Sequence, residues 1–204
     1  MLRLCALTLM LAATCNAATP DWPAADWQAD YQHALAHGVA RRLLVGYPDM
    51  TFRPNQIATR YEGAAVISRL LWYYLVELPK ADLLPPDVPW DHWCADACRV
   101  LVAAEVAPAP YGVRFAGERA LTRGEFALME WNLVQALRGA IPPKRLSDIA
   151  SPYEEAAQAL QAEGLMQPYP DGGLYPEARM PRWQVCVAVE QLLTWQAKRT
   201  APPR

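Results

Sequence analysis

Neither sign of charge dominates this sequence, since 19 basic residues stand against 21 acidic ones for a formal net charge of -2. That balance excludes the broad basic footprint of a nucleic-acid binder, so any anionic ligand must be held locally. Histidine is scarce, at 3 residues in 204. His33 and His37 are spaced to share one helix face, but Ala34, Leu35 and Ala36 lie between them without the glutamate base of a zinc protease. A solvated or capping role is expected for both, and no metal. Catalytic constellations are lacking as well: there is no Gly-x-Ser-x-Gly elbow, no phosphate-binding glycine loop and no Cys-His pairing in a recognisable context. Glu154 and Glu155 are adjacent, so on a helix they point about 100° apart and cannot face each other across a substrate. No catalytic residue and no cofactor are expected, and the chain reads as a non-enzyme.

Long apolar runs are also missing. Residues 4–13, preceded by Arg3 and followed by small residues up to Ala17, fall short of the ~20 needed to span a bilayer and read as a secretory signal over residues 1–17. Cys15 is a poor lipidation site because Ala12, Ala13 and Thr14 precede it. A second run, residues 70–76, is bracketed by Arg69 and Glu77 and reads as a buried helix, leaving no transmembrane span after the signal. Cleavage would leave Cys94, Cys98 and Cys186, an odd set in a compartment that permits disulfides. Buried apolar thiols are the plain expectation, and a Cys98 to Cys186 bridge is the sharper alternative.

What is present is internal repetition over a composition that is 53% hydrophobic, ample for a core. Three segments align without a gap: residues 52–62 (FRPNQIATRYE), 115–125 (FAGERALTRGE) and 174–184 (LYPEARMPRWQ). Each is followed by a helical apolar stripe in register: Val66, Ile67, Leu70, Leu71 and Tyr74; Phe126, Met129, Leu133 and Leu137; Val185, Ala188, Val189 and Leu192. Thr59 with Glu62 and Thr122 with Glu125 predict capping boxes. In the third copy Pro181 replaces the threonine, while Gln184 is expected to keep the return contact. Helical stretches at 27–42, 93–106 and 153–164 precede the turns at 46–49, 108–112 and 168–173. Proline-rich joints at 79–89 and 141–152 separate the copies. Helix pairs this small cannot bury their apolar faces alone, so a shared core is predicted.

The motifs Gly46-Tyr47-Pro48-Asp49 leading to Phe52-Arg53-Pro54, and Thr59-Arg60-Tyr61-Glu62, resemble the second half of an S-layer homology repeat, whose pattern runs roughly GYPDGTFRP and then ITRAE. Residues 87–93 (DVPWDHW) resemble its first half. The resemblance implies an all-α fold of three helix-loop-helix repeats, at 21–79, 86–140 and 146–198, forming a pseudo-threefold bundle with loop prongs separated by grooves. It also implies non-covalent binding of cell-wall polysaccharide, either a polymer with pyruvylated sugars or a peptidoglycan-linked glycan, by an exported protein of the cell wall, cell surface or periplasm. Arg60, Arg123 and Arg182 stand just inside helix N-termini, where a guanidinium and free backbone donors would suit a carboxylate. Asp87 and Asp148 border the groove in the family, with Asp26 or Asp21 in the first copy, and Asp49 and Asp171 sit in the loops. Tyr47, Trp93, Trp90 and Tyr169 are the aromatic candidates for stacking on sugar rings.

The chain departs from the family at Met50, which replaces a glycine, at Glu105, where glycine is usual, and in the second copy, which lacks the GYPDG turn. These departures, and repeats that fill the sequence without a passenger, feed an alternative reading. In it the repeats contact another envelope protein and the sugar grooves are vestigial.

Overall fold

The computed structural model describes residues 27–74, 84–107, 114–139, 152–169 and 171–200. Six α-helices account for most of them: α1 (Trp27–Ala40), α2 (Arg60–Tyr73), α3 (Ala95–Ala103), α4 (Arg123–Leu137), α5 (Pro152–Ala162) and α6 (Arg182–Thr200). The architecture is all-α; besides helices, the described residues hold only isolated β-bridges between the segments that precede α2, α4 and α6. The signal-like residues 1–17 and the candidates Asp21, Asp26 and Asp148 lie outside the described residues.

α2, α4 and α6 begin where the sequence places their caps. Thr59 and Thr122 are extended N-caps whose hydroxyls accept the N–H of Glu62 and of Glu125, and both glutamates return to the N-cap N–H. The third start works differently. Proline has no N–H to donate to a returning side chain, so the contact expected from Gln184 cannot form there. Its Oε1 instead accepts from Arg123 Nη1 at 3.3 Å.

The stripes predicted on α2, α4 and α6 form the core. Ile67, Leu70, Leu71, Phe126, Met129, Leu133, Val189 and Leu192 are buried, joined by Trp183 and by Phe115 from the second loop. Helix pairing does not follow chain neighbours within a repeat. α3 packs on α2, α5 on α4, and α1 on α6, while α2 and α4 also touch. Each leading helix therefore docks on the second helix of the preceding copy, with the first copy using the last.

The pre-helix segments bond in a closed cycle. Ala58 N–H donates to the Met180 carbonyl at 2.9 Å, Met180 N–H to Leu121 at 2.9 Å, and Leu121 N–H to Ala58 at 2.8 Å. These residues occupy the same aligned position in the three copies. The next two N–H groups of each helix, which an isolated helix leaves orphaned, go to a neighbour's loop: Arg60 and Tyr61 to Arg119 and Gly117, Arg123 and Gly124 to Ala178 and Pro176, Arg182 and Trp183 to Gln56 and Pro54.

The leading helices end in a left-handed residue, Arg42 at φ 59°, Glu105 at 54° and Gly164 at 73°. Only the third copy has the residue that takes this conformation without steric cost. The same strain appears in the first loop at Met50, φ 64°, aligned with Gly172 at 84°. The three described cysteines are buried and unbridged. Cys94 donates to the Tyr61 carbonyl and Cys186 to that of Arg182, and a hydrogen bond to Cys94 together with burial pushes the Cys98 thiol far up. The bridge from Cys98 to Cys186 is not made.

Candidate functional site

Arg60, Arg123 and Arg182 occupy the first turn of their helices as aligned, and each reaches into the following copy. Arg60 Nε donates to the Phe115 carbonyl at 2.8 Å and its Nη1 to Glu125. Arg123 reaches the carbonyls of Leu174 and Gln167, both at 3.1 Å, as well as Gln184. Arg182 reaches Phe52 at 2.9 Å, Val45 at 3.1 Å, and Glu62. Only 5%, 2% and 7% of their surfaces remain exposed. The free helix-terminal donors expected beside them are not free either, since neighbouring loops already accept from them. The sequence reading offered these arginines to a ligand's carboxylate; the structure gives them loop carbonyls and the N3 side chains of the next helix. Charged hydrogen bonds of this kind, made away from water, hold the three helix starts in register.

The aspartates also serve the loops. Asp87 accepts the N–H of Phe115 and of Ala116, both at 2.7 Å, tying the first joint to the second loop. Burial raises its pKa, but these backbone donors outweigh that and leave the carboxyl below its ordinary value. Asp49 accepts the N–H and hydroxyl of Thr51 and the guanidinium of Arg53, which hold its carboxyl well below the usual carboxylate range. Asp171 does the same work in the third loop with Gly173 N–H and the Tyr175 hydroxyl.

The aromatics separate clearly. Tyr47 donates to Glu62 at 2.8 Å, accepts from Gln56 Nε2 at 2.8 Å, and lies beneath the guanidiniums of Arg53 and Arg182. Tyr169 has the matching place in the third copy, 4.9 Å from Arg123 and edge-on to Tyr175. Trp93 is 62% exposed and meets Tyr61 edge-on, whereas Trp90, 79% exposed, stands apart from the groove described next.

A groove of about 540 Å³ opens between the first loop and the start of α6. Tyr47, Gln56, Glu62 and Arg69 come from the first copy, Trp93 and Glu118 from the second, and Arg182 from the third. The electrostatics are local. Arg182 is matched by Glu62, but Arg69 is half-buried, bonds only the Leu43 carbonyl at 3.3 Å, and has no carboxylate in ion-pair range among the described residues. Burial lowers its pKa from the ordinary arginine value. In the sequence Arg69 stands out only as the residue preceding the apolar run 70–76, one helical turn beyond the groove-lining Ala65 and Val66.

These observations define an all-α helix-loop-helix module whose helix starts are completed by its neighbours. The S-layer homology domain matches two segments of this chain, residues 20–62 and 146–182. The intervening copy lies outside both matches, although its capping box, Arg123 and Leu121 repeat the same bonding. Cell surface glycoprotein 1 of Acetivibrio thermocellus is 27% identical over 169 residues, 76% of this chain and 7% of that protein. The cellulosome-anchoring protein of the same organism is 25% identical over 157 residues, 74% of this chain and 35% of that protein. Outer membrane protein SlpA of Deinococcus radiodurans is 48% identical over 54 residues, 26% of this chain and 4% of that protein. The chain thus spans a small part of the length of these relatives. No described helix is long and apolar enough to cross a membrane.

Proposed function

We propose that this chain is an exported, non-enzymatic module of the cell envelope that binds wall polysaccharide non-covalently in the groove between its first loop and α6. Three repeats, bounded as in the sequence, form one pseudo-threefold unit, and the bound polymer is a pyruvylated secondary polymer or a peptidoglycan-linked glycan. The observation that carries this reading is the composition of the groove. Tyr47 and exposed Trp93 supply flat apolar faces, Gln56 supplies hydrogen bonds, and Arg69 supplies a cation without an acidic partner among the described residues. That set suits a sugar ring bearing a carboxylate. The names of these relatives, a cell surface glycoprotein and a cellulosome-anchoring protein, support the same placement.

In this reading Arg60, Arg123, Arg182, Asp87, Asp49 and Asp171 build the prongs, and the ligand meets Tyr47, Trp93 and Arg69. The test is co-sedimentation with wall sacculi, untreated or stripped of secondary polymer. Polymer-dependent pelleting that Trp93→Ala and Arg69→Gln weaken, and Trp90→Ala leaves alone, is the expected result. A second reading, contact with another envelope protein, is favoured by the large aromatics exposed away from the groove: Trp72, Tyr73 and Trp90. Absence of pelleting with either preparation would select it.

A further inference from the structure

His33 and His37 lie one turn apart on α1 with ring centroids 4.0 Å apart, and folding brings Glu190 of α6 against them. Glu190 Oε1 stands 3.1 Å from His37 Nδ1 and 3.9 Å from His33 Nδ1, and one donor atom from each of the three residues fits within a 4.8 Å spread. A tetrahedral zinc ion with bonds of about 2.0–2.1 Å needs donors roughly 3.3 Å apart, so rotamer adjustments alone would complete the set. The remaining oxygen, Glu190 Oε2, is enclosed and accepts no hydrogen bond from the described residues. Burying such an acceptor is unfavourable unless something compensates it, and a cation held by the same carboxylate would. Two neutral imidazoles and one carboxylate match a divalent ion of intermediate softness. The histidine side chains are 63% and 42% exposed, so an ion can enter from solvent and keep water in its open position.

We propose that His33, His37 and Glu190 bind a divalent transition-metal ion of the zinc class, which clamps α1 onto α6. The role is structural: α1 packs on α6 and these helices belong to the first and last copies, so the ion would tie the two ends of the helix cycle together. The third histidine of the chain, His92, packs against Tyr61 and Trp93 and takes no part. The buried thiols of Cys94, Cys98 and Cys186 stay in every variant, so differences among variants report this cluster alone.

The experiment uses the untagged full chain with zinc chloride, followed by isothermal titration and by thermal melting with and without EDTA. One equivalent should bind, with an EDTA-reversible rise in Tm. His33→Ala, His37→Ala and Glu190→Gln should each weaken binding by more than the roughly 10- to 100-fold that losing an outer-shell support costs. His33 is largely exposed, so its variant keeps the fold and separates lost binding from lost structure. Cobalt(II) in place of zinc should give visible d–d bands without thiolate charge transfer. No binding by the unaltered chain, binding unchanged in all three variants, or a thiolate band would each overturn the proposal.

Discussion

Replacing Glu130 with glutamine should stabilise the fold at neutral pH and leave it almost unchanged in mild acid. Glu130 is 3% exposed on α4, and burial pushes its pKa up to about 8 from an ordinary 4.5. Between these values the folded chain keeps a proton that the unfolded chain has released, so native stability falls as pH rises from 4.5 through 8. At pH 7 the difference is roughly 3 kcal/mol at 1.36 kcal/mol per pH unit, which the neutral amide of similar shape removes. For a chain of this size that corresponds to a Tm gain of roughly 6–12 °C. The assay is thermal or urea unfolding followed by circular dichroism at pH 4.5, 6, 7 and 8, for both proteins under the same buffer and salt. The gap should open steadily with pH and level off above 8. A gap of constant size across the series, or one that closes as pH rises, would refute the reasoning.

Arg60→Met should cost about 3 kcal/mol in urea unfolding, the low end for breaking a buried ion pair, because Arg119 still reaches Glu125. Arg119→Met, at a half-exposed side chain, should cost less than about 1 kcal/mol, and equal losses would show that burial does not set the difference. Gly164→Ala meets no atom within 4 Å yet sits at φ 73°, so it should lose roughly 1 kcal/mol to backbone strain alone, while Glu105→Gly should gain up to that amount, both read from denaturation midpoints. In Gly117→Ala the new Cβ would collide with the Tyr61 ring, disturbing its stack on Phe115. A loss of about 1–3 kcal/mol with an altered near-ultraviolet spectrum is expected.

Local chemistry was legible in the sequence, and partnership was not. Thr59 with Glu62 and Thr122 with Glu125 announced both boxes, because a cap is satisfied within four residues. The leading helices appeared within two or three residues of their observed ends, since apolar spacing carries that signal. The arginine triplet was recognisable as one register, but alignment tells which residues correspond and not which copy each side chain enters. The sequence thus marks Arg182 as a ligand candidate, and only the fold shows that it also bonds Glu62 and the first loop across more than a hundred residues of chain. The contact expected of Gln184 failed for a local reason that proline chemistry already contained: without an N–H at Pro181 there is nothing to return to. Glu190 carries no motif at all, and only the docking of α6 on α1 brings it to His37.

The closed cycle of backbone bonds through Ala58, Leu121 and Met180 bears on how this module meets mechanical load. A linear stack of repeats has terminal members that each hold one neighbour, so tension peels it from an end, copy by copy. Here the last helix start is seated in the first loop, and the first helix lies on the last one. Pulling either end strains a joint between the earliest and latest parts of the chain, and that joint is braced by the remaining copy. Such a module yields as one body at a single threshold force, where an open array would lengthen in steps.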